Sequence, residues 1–492
     1  MKRFALLCIC LLLLCTCDWE HSAFMNSLPV RDKKTPGKTI HVFLGLDGIA
    51  WSAAKEAMRQ GAFSSFHLSK IIPMFPATSD ASWTRILHTK PMAGYEYTYF
   101  DFPSDKMRHS GILGVILHGL PRFHDSNMTP AYYSAFDLHA SEYLDAIWTY
   151  AEPQTSLGKS LDNFFFVLGG RLETTHVFSA YISETDVIGH YDDEKTVVQN
   201  LKAISKRMDD FVRRHKNYHF IFTLYTDHGL DHVSKPTQNL IRLEPLMKEV
   251  GVHAAHSFLE GQGSPFPWAI PVEHTRVTYA ALHTMPSQIA AASQRLSLHP
   301  SVDLVVARGF QTQGAPDGLS WTELWKKGSR VARIGYDSNE NRYWLPNNLN
   351  TEALELSMEP PTLPWQSYSD EELFLATLDR HYPDLFFRAR TSLEAICVKY
   401  PADILISFAN PWLMLGFDFP LVSQTAGNAG SHGAMDFSSS EGALLTQAPH
   451  LPPVLRSDDF LSFYPEFQEW IAQKNLLHRK PSPPLLYEEI FP

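Results

Sequence analysis

Seven polar side chains of types that bind metal ions or attack phosphorus stand in five short segments of this 492-residue chain. In chain order they are Asp47 in FLGLDG, Ser79 in PATSDASW, Asp186 and His190 in ETDVIGH, Asp227 and His228 in TDHG, and His432 in GSHG. Carboxylates and imidazoles suit zinc when no thiolate is present. A hydroxyl activated by such an ion becomes a nucleophile. The set therefore predicts a metal site for hydrolytic chemistry.

The first three acidic and histidine candidates also have ordinary structural explanations. An aspartate directly after a strand, such as Asp47, is commonly a helix cap or a turn residue. Asp186 and His190 are four residues apart. That spacing suits either one turn of a helix or a loop that brings both side chains to one ion.

The two later segments differ in how specific they are. In Asp227-His228-Gly229 the glycine lets the backbone turn away, so that both preceding side chains can face one centre. His432 lies between glycines, which is also typical of a surface turn, and the chain holds 23 histidines that could match by chance. The order of all five segments together is what makes coincidence a poor explanation.

Three nearly continuous apolar runs predict strands that are buried on both faces of a parallel sheet. These runs cover residues 39–46, 176–182 and 219–225. Between the second and third, residues 193–216 carry apolar side chains three and four apart, which predicts an amphipathic helix and a parallel crossover. Ligands bind beyond the carboxyl ends of such strands, so Asp47, Asp186 and Asp227 should meet at one edge.

The order and spacing of these motifs resemble the alkaline phosphatase superfamily, most closely its type I phosphodiesterase and nucleotide pyrophosphatase branch. The resemblance covers roughly residues 38–95, 174–232 and 380–460. It implies an α/β fold in which a central, mostly parallel sheet is flanked by helices and a smaller α+β accessory subdomain is inserted. It also implies two divalent metal ions, which we expect to be zinc.

The resemblance divides the ligands between the two ions. By analogy with the family the two sets are Asp186, His190 and His432 for the first ion, and Asp47, Asp227 and His228 for the second. Ser79 would contact the second ion and attack phosphorus, giving a covalent phosphoseryl intermediate. Two ions about 4 Å apart stabilise both the attacking and the leaving oxygen of an in-line displacement.

The nucleophile segment departs from the family pattern. That branch usually has threonine where this chain has Ser79, and an asparagine three residues later where this chain has Ser82. A hydroxyl reaches less far than an amide, so it is a weaker donor to a phosphoryl oxygen. Thr78 and Ser82 are alternative nucleophiles, and a capped helix start is compatible with the same segment.

The resemblance implies a metal-dependent hydrolase of small-molecule phosphoric esters, acting on diesters or nucleotide-like pyrophosphates, and the first residues of the chain predict that it is exported. Alternatives on the same scaffold are a phosphomonoesterase, a phosphotransferase, or a catalytically weak metal-binding protein. No x-Pro-x-Arg pattern follows Ser79, which argues against a sulfatase. The gap from Ser79 to Asp186 is too short for the inserted domain of a cofactor-independent phosphoglycerate mutase.

Composition limits the classes of partner. Hydrophobic residues make up 44% of the chain, enough for a large core. The net charge of -11 argues against nucleic acid as a partner, because the average surface field repels its phosphates. Only Cys397 lies beyond the first 17 residues, so we expect neither an internal disulfide nor a thiolate ligand.

The first 17 residues have the pattern of a signal peptide. Lys2 and Arg3 precede an apolar run over residues 4–14. The segment ending at Cys17 resembles a bacterial lipoprotein box, although Thr16 stands where glycine, alanine or serine is usual. We therefore expect a periplasmic protein or a lipoprotein attached to the membrane through Cys17. Simple cleavage and a retained anchor are the alternatives.

The predicted organisation has four parts. They are a signal peptide at 1–17, a linker at 18–37, a catalytic core at 38–232 and 380–492, and an inserted accessory region at 233–379. Further strands are predicted at 302–307, 330–336, 402–407 and 442–446, with a helix at 460–474. Residues 96–173 are rich in aromatic side chains and match no motif, so packing is favoured there over a substrate pocket.

Overall fold

The computed structural model describes residues 37–96, 98–109, 130–139, 149, 152–232, 239–274, 276–396, 398–414, 430–449, 451–478 and 485. The predicted signal peptide with Cys17, the linker up to residue 36, and Cys397 lie outside the described residues. Across the described ranges, no helix has both the length and the apolar character needed to span a bilayer.

The regular elements alternate along the chain. The strands are β1 (Lys38–Leu46), β2 (His67–Ile72), β3 (Thr98–Asp101), β4 (Lys106–His109), β5 (Leu138–His139), β6 (Val177–Ile182), β7 (Tyr218–Thr226), β8 (Asp231–His232), β9 (Leu240–Ile241), β10 (His253–Ala254), β11 (Trp268–Val272), β12 (Tyr279–His283), β13 (Val302–Arg308), β14 (Ser320–Lys326), β15 (Ser329–Asp337), β16 (Arg342–Pro346), β17 (Trp365–Ser369), β18 (Ile404–Phe408), β19 (Leu413–Met414), β20 (Gly430–Ser431), β21 (Gly442–Thr446) and β22 (Val454–Arg456). The α-helices are α1 (Trp51–Arg59), α2 (Ser79–Ile86), α3 (Pro153–Arg171), α4 (Glu184–Tyr191), α5 (Glu194–Arg214), α6 (Leu243–Glu249), α7 (Phe258–Gln262), α8 (Pro286–Leu296), α9 (Asp370–Thr377), α10 (Leu385–Ser392) and α11 (Pro465–Gln473).

A seven-stranded sheet in the order β22-β2-β21-β7-β1-β6-β5 forms the centre of the fold. Its neighbours pair in parallel except at β21, which is antiparallel to both β2 and β7. The predicted central, mostly parallel sheet is therefore confirmed. Strands β1, β7 and β6 lie side by side because their apolar side chains cover both faces, as the continuous runs indicated.

Helices cover both faces of this sheet. On one face α1, α3 and α5 bury an apolar cluster that includes Ala53, Leu161 and Leu201 against the strands. On the other face α11 packs through Phe467, whose ring stacks on Phe43 of β1 with centroids 4.1 Å apart. The predicted flanking helices are thus present, since each supplies one apolar stripe to a sheet that is apolar on both sides.

A second sheet of nine strands has the order β10-β11-β12-β18-β13-β14-β15-β16-β17. All its neighbouring strands are antiparallel except β10 and β11. Most of it comes from the predicted inserted region, but β18 lies between β12 and β13 and comes from the stretch that we assigned to the core. The accessory sheet therefore draws on both sides of the predicted boundary at residue 380.

The candidate residues follow the central strands. Asp47 comes directly after β1, and Asp227 directly after β7. Helix α4, which carries Asp186 and His190, begins two residues after the end of β6. Because β1, β6 and β7 are parallel neighbours, their carboxyl ends bring these three segments to one edge of the sheet.

Candidate metal centre

The first predicted ligand set forms a compact group. Asp186, His190 and His432 each offer a ligand atom within 4.8 Å of the others. Asp186 and His190 lie on the helix α4, so the helical alternative for their four-residue spacing is the one observed. His190 Nε2 lies 3.3 Å from one Asp186 oxygen, and His432 Nε2 lies 3.9 Å from the other. The imidazoles thus flank a single carboxylate.

The second set lies against the first. Asp47, Asp186 and His228 also have ligand atoms within 4.8 Å of one another. His228 Nε2 is 3.5 Å from Asp47 Oδ1 and 3.2 Å from Asp227 Oδ2. All four side chains therefore face one space. The grouping differs from the implied allocation in two respects: Asp186 belongs to both groups, and Asp227 is outside the second group, although its Oδ2 lies near His228 Nε2.

The orientation of the three histidines prepares them for metal binding. The Nδ1 atoms of His190, His228 and His432 lie 2.9, 2.9 and 2.8 Å from backbone carbonyl oxygens, of Gly430, Gly229 and Ala77 respectively. A carbonyl oxygen only accepts, so Nδ1 carries the proton in each ring. The bare Nε2 lone pairs therefore face the carboxylates, which is the arrangement that outer hydrogen bonds impose on ligating histidines.

The electrostatics of this group require a positive charge. Burial raises the pKa of Asp47, and the charges of Asp227 and Asp186 raise it further. Asp186 Oδ1 and Asp227 Oδ2 are buried with no hydrogen-bond partner. Unpaired carboxylate oxygens that face nitrogen lone pairs are unfavourable unless a cation lies between them. The oxygen and nitrogen donors present fit divalent cations such as zinc.

The nucleophile segment starts helix α2, as the capped-helix interpretation allowed. Ser79 Oγ lies 3.1 Å from Asp47 Oδ1, to which it donates, and 3.2 Å from His228 Nε2. The Thr78 hydroxyl instead donates to the Tyr95 carbonyl at 3.0 Å and is fully buried. Among the three hydroxyls considered, Ser79 is the one with hydrogen bonds to candidate metal ligands.

Three further residues hold the candidate ligands and were not foreseen. The Tyr181 hydroxyl donates a short hydrogen bond to Asp47 Oδ2, and the Thr185 hydroxyl donates to the Asp47 carbonyl at 2.6 Å. The amide of Gly48 donates to Asp227 Oδ1 at 3.1 Å. Such contacts depend on which side chains meet across neighbouring strands. Within the apolar run of β6, nothing in the sequence distinguishes Tyr181 from a packing residue.

A second acidic group borders the centre. Asp80 follows Ser79 and accepts a hydrogen bond from the Tyr132 hydroxyl at 2.9 Å. Glu96 accepts one from Tyr279 at 3.1 Å. Burial, reinforced by Asp80 and Asp186, raises the pKa of Glu96 to about 8. The aromatic-rich stretch 96–173 thus contributes Glu96 and Tyr132 close to the candidate nucleophile as well as packing.

Glu96→Gln should change how stability depends on pH in chelator-treated protein. An unfolded glutamate titrates near 4.5 and folded Glu96 near 8. Between these values only the folded state keeps the proton, so the free energy of unfolding falls as pH rises. In Glu96→Gln the free energy of unfolding should fall less steeply with pH, by up to about 1.4 kcal/mol per pH unit between pH 6.5 and 8.

Urea unfolding of both proteins at several pH values measures this difference. The buried His274 adds no pH dependence in this range. Burial lowers its pKa to about 3, so its contribution to the free energy of unfolding varies with pH only below the ordinary histidine pKa of 6.5. The matched control is Glu469→Gln, whose side chain is on the exposed side of helix α11, and this variant should parallel the wild type. Curves for Glu96→Gln and wild type that stay parallel from pH 6.5 to 8 contradict the prediction.

Comparison with solved structures gives only distant similarity. Human ectonucleotide pyrophosphatase/phosphodiesterase 5 has a TM-score of 0.46 and 12% identity, over 89% of this chain and 100% of its own. The murine protein has 0.43 and 11%, over 90% and 96%. Phosphonoacetate hydrolase from Sinorhizobium meliloti 1021 has 0.43 and 11%, over 89% and 96%. No protein-family model and no curated protein matches this chain.

Ectonucleotide pyrophosphatase/phosphodiesterase is the branch that the motifs of this chain resemble. Overlap at this level does not determine the activity of a protein. The side chains of the centre are therefore the basis on which we infer its chemistry.

Proposed function

We propose that this chain is a metal-dependent phosphoric ester hydrolase that uses Ser79 as its nucleophile at a two-zinc centre. The observation that carries the proposal is the position of Ser79 Oγ, 3.1 Å from Asp47 Oδ1 and 3.2 Å from His228 Nε2. A hydroxyl held between a carboxylate and an imidazole that face a common space is placed for activation. The same carboxylates would repel an anionic substrate unless cations were bound.

The donors of the centre would hold two ions. The first would be held by Asp186, His190 and His432, and the second by Asp47, Asp227 and His228, with Asp186 close to both. When bound, the ions supply Lewis-acid charge that offsets the negative charge gathering on the phosphoryl oxygens. Tyr181 and Gly48 keep Asp47 and Asp227 in place through one hydrogen bond each. The protein groups are therefore set before substrate arrives.

Ser79 performs the covalent step of the proposed reaction. Its hydroxyl proton points to Asp47 Oδ1, so deprotonation proceeds along an existing hydrogen bond. Ser79 Oγ then forms a bond to phosphorus while the bond from phosphorus to the leaving oxygen breaks. Water releases phosphate or a monoester from the serine in a second displacement, which restores the hydroxyl. Ser79 is also the first residue of α2, where backbone amides favour negative charge.

Turnover of two chromogenic esters tests this proposal. Purified protein with zinc should hydrolyse bis(p-nitrophenyl) phosphate faster than p-nitrophenyl phosphate, and a chelator should abolish both reactions. We favour diesters because, among the described residues, no lysine or arginine forms an ion pair or hydrogen bond with Ser79 or a candidate ligand, where it would neutralise the second charge of a monoester. Faster hydrolysis of the monoester would make the protein a phosphomonoesterase. No zinc-dependent hydrolysis of either ester would refute the proposal.

We also propose that the protein is exported and attached to a membrane through a lipid on Cys17. The proposal rests on Lys2, Arg3 and the apolar run of residues 4–14. Mass spectrometry of the N-terminal peptide from the native host tests it, because a lipid on Cys17 adds a defined mass. A peptide that begins elsewhere and carries no lipid would leave export by cleavage alone, and an intact Met1 would contradict both ideas.

A further inference from the structure

Arg276 carries a charge for which the described residues provide no counterpart. Its Nε and Nη2 atoms are buried without a hydrogen-bond partner. Its guanidinium carbon lies 4.7 Å from the centroid of the Tyr191 ring, and the Tyr191 hydroxyl is likewise buried and unpaired. The stacked side chains of Arg276 and Tyr191 therefore hold three buried donors without acceptors, namely Arg276 Nε, Arg276 Nη2 and the Tyr191 hydroxyl. Leaving such donors unsatisfied is costly, which calls for an acceptor that the described residues do not supply.

Two of the other buried arginines have carboxylate partners, while Arg388 donates from Nη1 to the carbonyl oxygens of Pro383 and Met435. Arg85 forms an ion pair with Asp458, and Arg456 forms two, with Asp370 and Asp384. By contrast, none of the described carboxylates lies within ion-pair distance of Arg276, whose side chain is half-buried. Its charge therefore has no carboxylate partner among the described residues.

Arg276 and Tyr191 both adjoin segments that carry residues of the first ligand set. Tyr191 directly follows His190 and ends helix α4. The backbone of Arg276 accepts a hydrogen bond from the Ser431 hydroxyl at 2.8 Å, and the next residue forms a β-bridge with His432. Arg276 also adopts a φ of 67°, a left-handed conformation that is uncommon for a residue other than glycine. These contacts place the backbone of Arg276 and the ring of Tyr191 next to the segments that carry His432 and His190, while Ser79 lies against Asp47 and His228.

We propose that Arg276 and the Tyr191 hydroxyl bind a second anionic group of the substrate, a carboxylate or a phosphate, distinct from the phosphoryl group attacked by Ser79. The planar guanidinium presents parallel N–H donors that match both kinds of oxyanion. The tyrosine hydroxyl adds a third donor from the same stack. This inference rests on the proposed function, because it names the class of substrate that the same centre accepts.

A matched set of diesters tests the proposal. Each has a p-nitrophenyl leaving group, and the second substituent is propyl, 2-carboxyethyl or 2-phosphonoethyl. Wild-type protein should show a higher kcat/KM for at least one of the anionic esters than for the propyl ester. In Arg276→Gln that ratio should fall by about 10- to 100-fold. Arg276→Lys should recover part of it, since charge is kept but the fork is lost.

Two variants serve as controls for folding and for charge. Tyr191→Phe removes only a hydroxyl and should lower the ratio by about 3- to 10-fold, even if Arg276→Gln folds poorly. Arg213→Gln, on the exposed side of α5, removes an arginine with the same change and should leave the ratio at its wild-type value. A wild-type enzyme without preference for either anionic ester, or unchanged ratios in Arg276→Gln and Tyr191→Phe, would overturn the inference but leave the hydrolase proposal standing.

Equilibrium binding tests the anion site independently of hydrolysis, and so separates the two proposals. Calorimetry on zinc-loaded Ser79→Ala should show tighter binding of 2-carboxyethylphosphonate or ethane-1,2-diphosphonate than of propylphosphonate, and Arg276→Gln in that background should abolish the difference. If no ester is hydrolysed, the hydrolase proposal fails while this measurement still decides whether the anion site exists. Equal affinities for all three ligands would refute the anion site. The preferred ligand also tells whether the second group is a carboxylate or a phosphate.

Discussion

Replacing Ser79 by alanine is expected to lower kcat on bis(p-nitrophenyl) phosphate by roughly 10³-fold or more, since a nucleophile removed from a covalent mechanism leaves only binding and electrostatic assistance. The metal content should stay at about two zinc ions per chain, because carboxylates and imidazoles supply the remaining ligands. Steady-state kinetics and elemental analysis on the same preparation measure both quantities. Loss of activity together with loss of zinc would instead make Ser79 a structural residue of the centre.

Two neighbouring hydroxyls provide the matched controls. Thr78→Ala removes a hydroxyl that donates to the Tyr95 carbonyl, and Ser82→Ala removes one that is fully buried in α2. Both should keep kcat within about 10-fold of wild type, since neither group has a hydrogen bond to a candidate ligand. Turnover that survives Ser79→Ala and disappears in Thr78→Ala would move the nucleophile by one residue and contradict the assignment.

His432→Ala is expected to have the second largest effect. Loss of a residue that only orients a ligand costs about 10- to 100-fold in metal affinity or activity, so loss of a direct ligand should cost at least about 100-fold. Zinc content should fall from about two ions to about one per chain. The reason is geometric, because His432 Nε2 is one of three donors grouped around the first position. Elemental analysis and kcat measurements test the two effects together.

His219→Ala is the control for this variant. His219 lies on β7 at the far end from the centre and its side chain is exposed. The His219→Ala variant should retain both zinc and activity. That result would exclude a general effect of losing a histidine. If His432→Ala keeps two zinc ions and full activity, His432 is not a ligand and the first position has been assigned wrongly.

The sequence predicts the central sheet well because β1, β6 and β7 are buried on both faces. Such strands need apolar residues at successive positions, a pattern that few other elements share. The run that became β18 has the same character, and so its existence could be predicted but its partners could not. It pairs with β12 and β13 in the second sheet, more than 90 residues away along the chain. Local pattern carries no information about which of two buried sheets accepts a strand.

Part of the candidate site could likewise be predicted from the sequence, and part could not. Asp47 and Asp227 could be predicted because they end parallel strands, and topology alone brings those ends together. The contacts of Tyr181 and Glu96 could not, since each depends on a partner distant in sequence and on the depth of burial. For the pair Asp186 and His190, spacing allowed a helix or a loop. The structure shows a helix, α4, which spans the whole motif and Tyr191, and the four-residue spacing by itself did not decide this.

Anomalous X-ray diffraction at the zinc absorption edge, from crystals of active protein, would locate zinc ions bound at the centre. We expect two zinc peaks at the carboxyl edge of the seven-stranded sheet. One should lie among Asp186, His190 and His432, and the other beside Asp47 and His228. Crystals of protein that hydrolyses phosphate esters without any metal peak in this space would contradict this expectation.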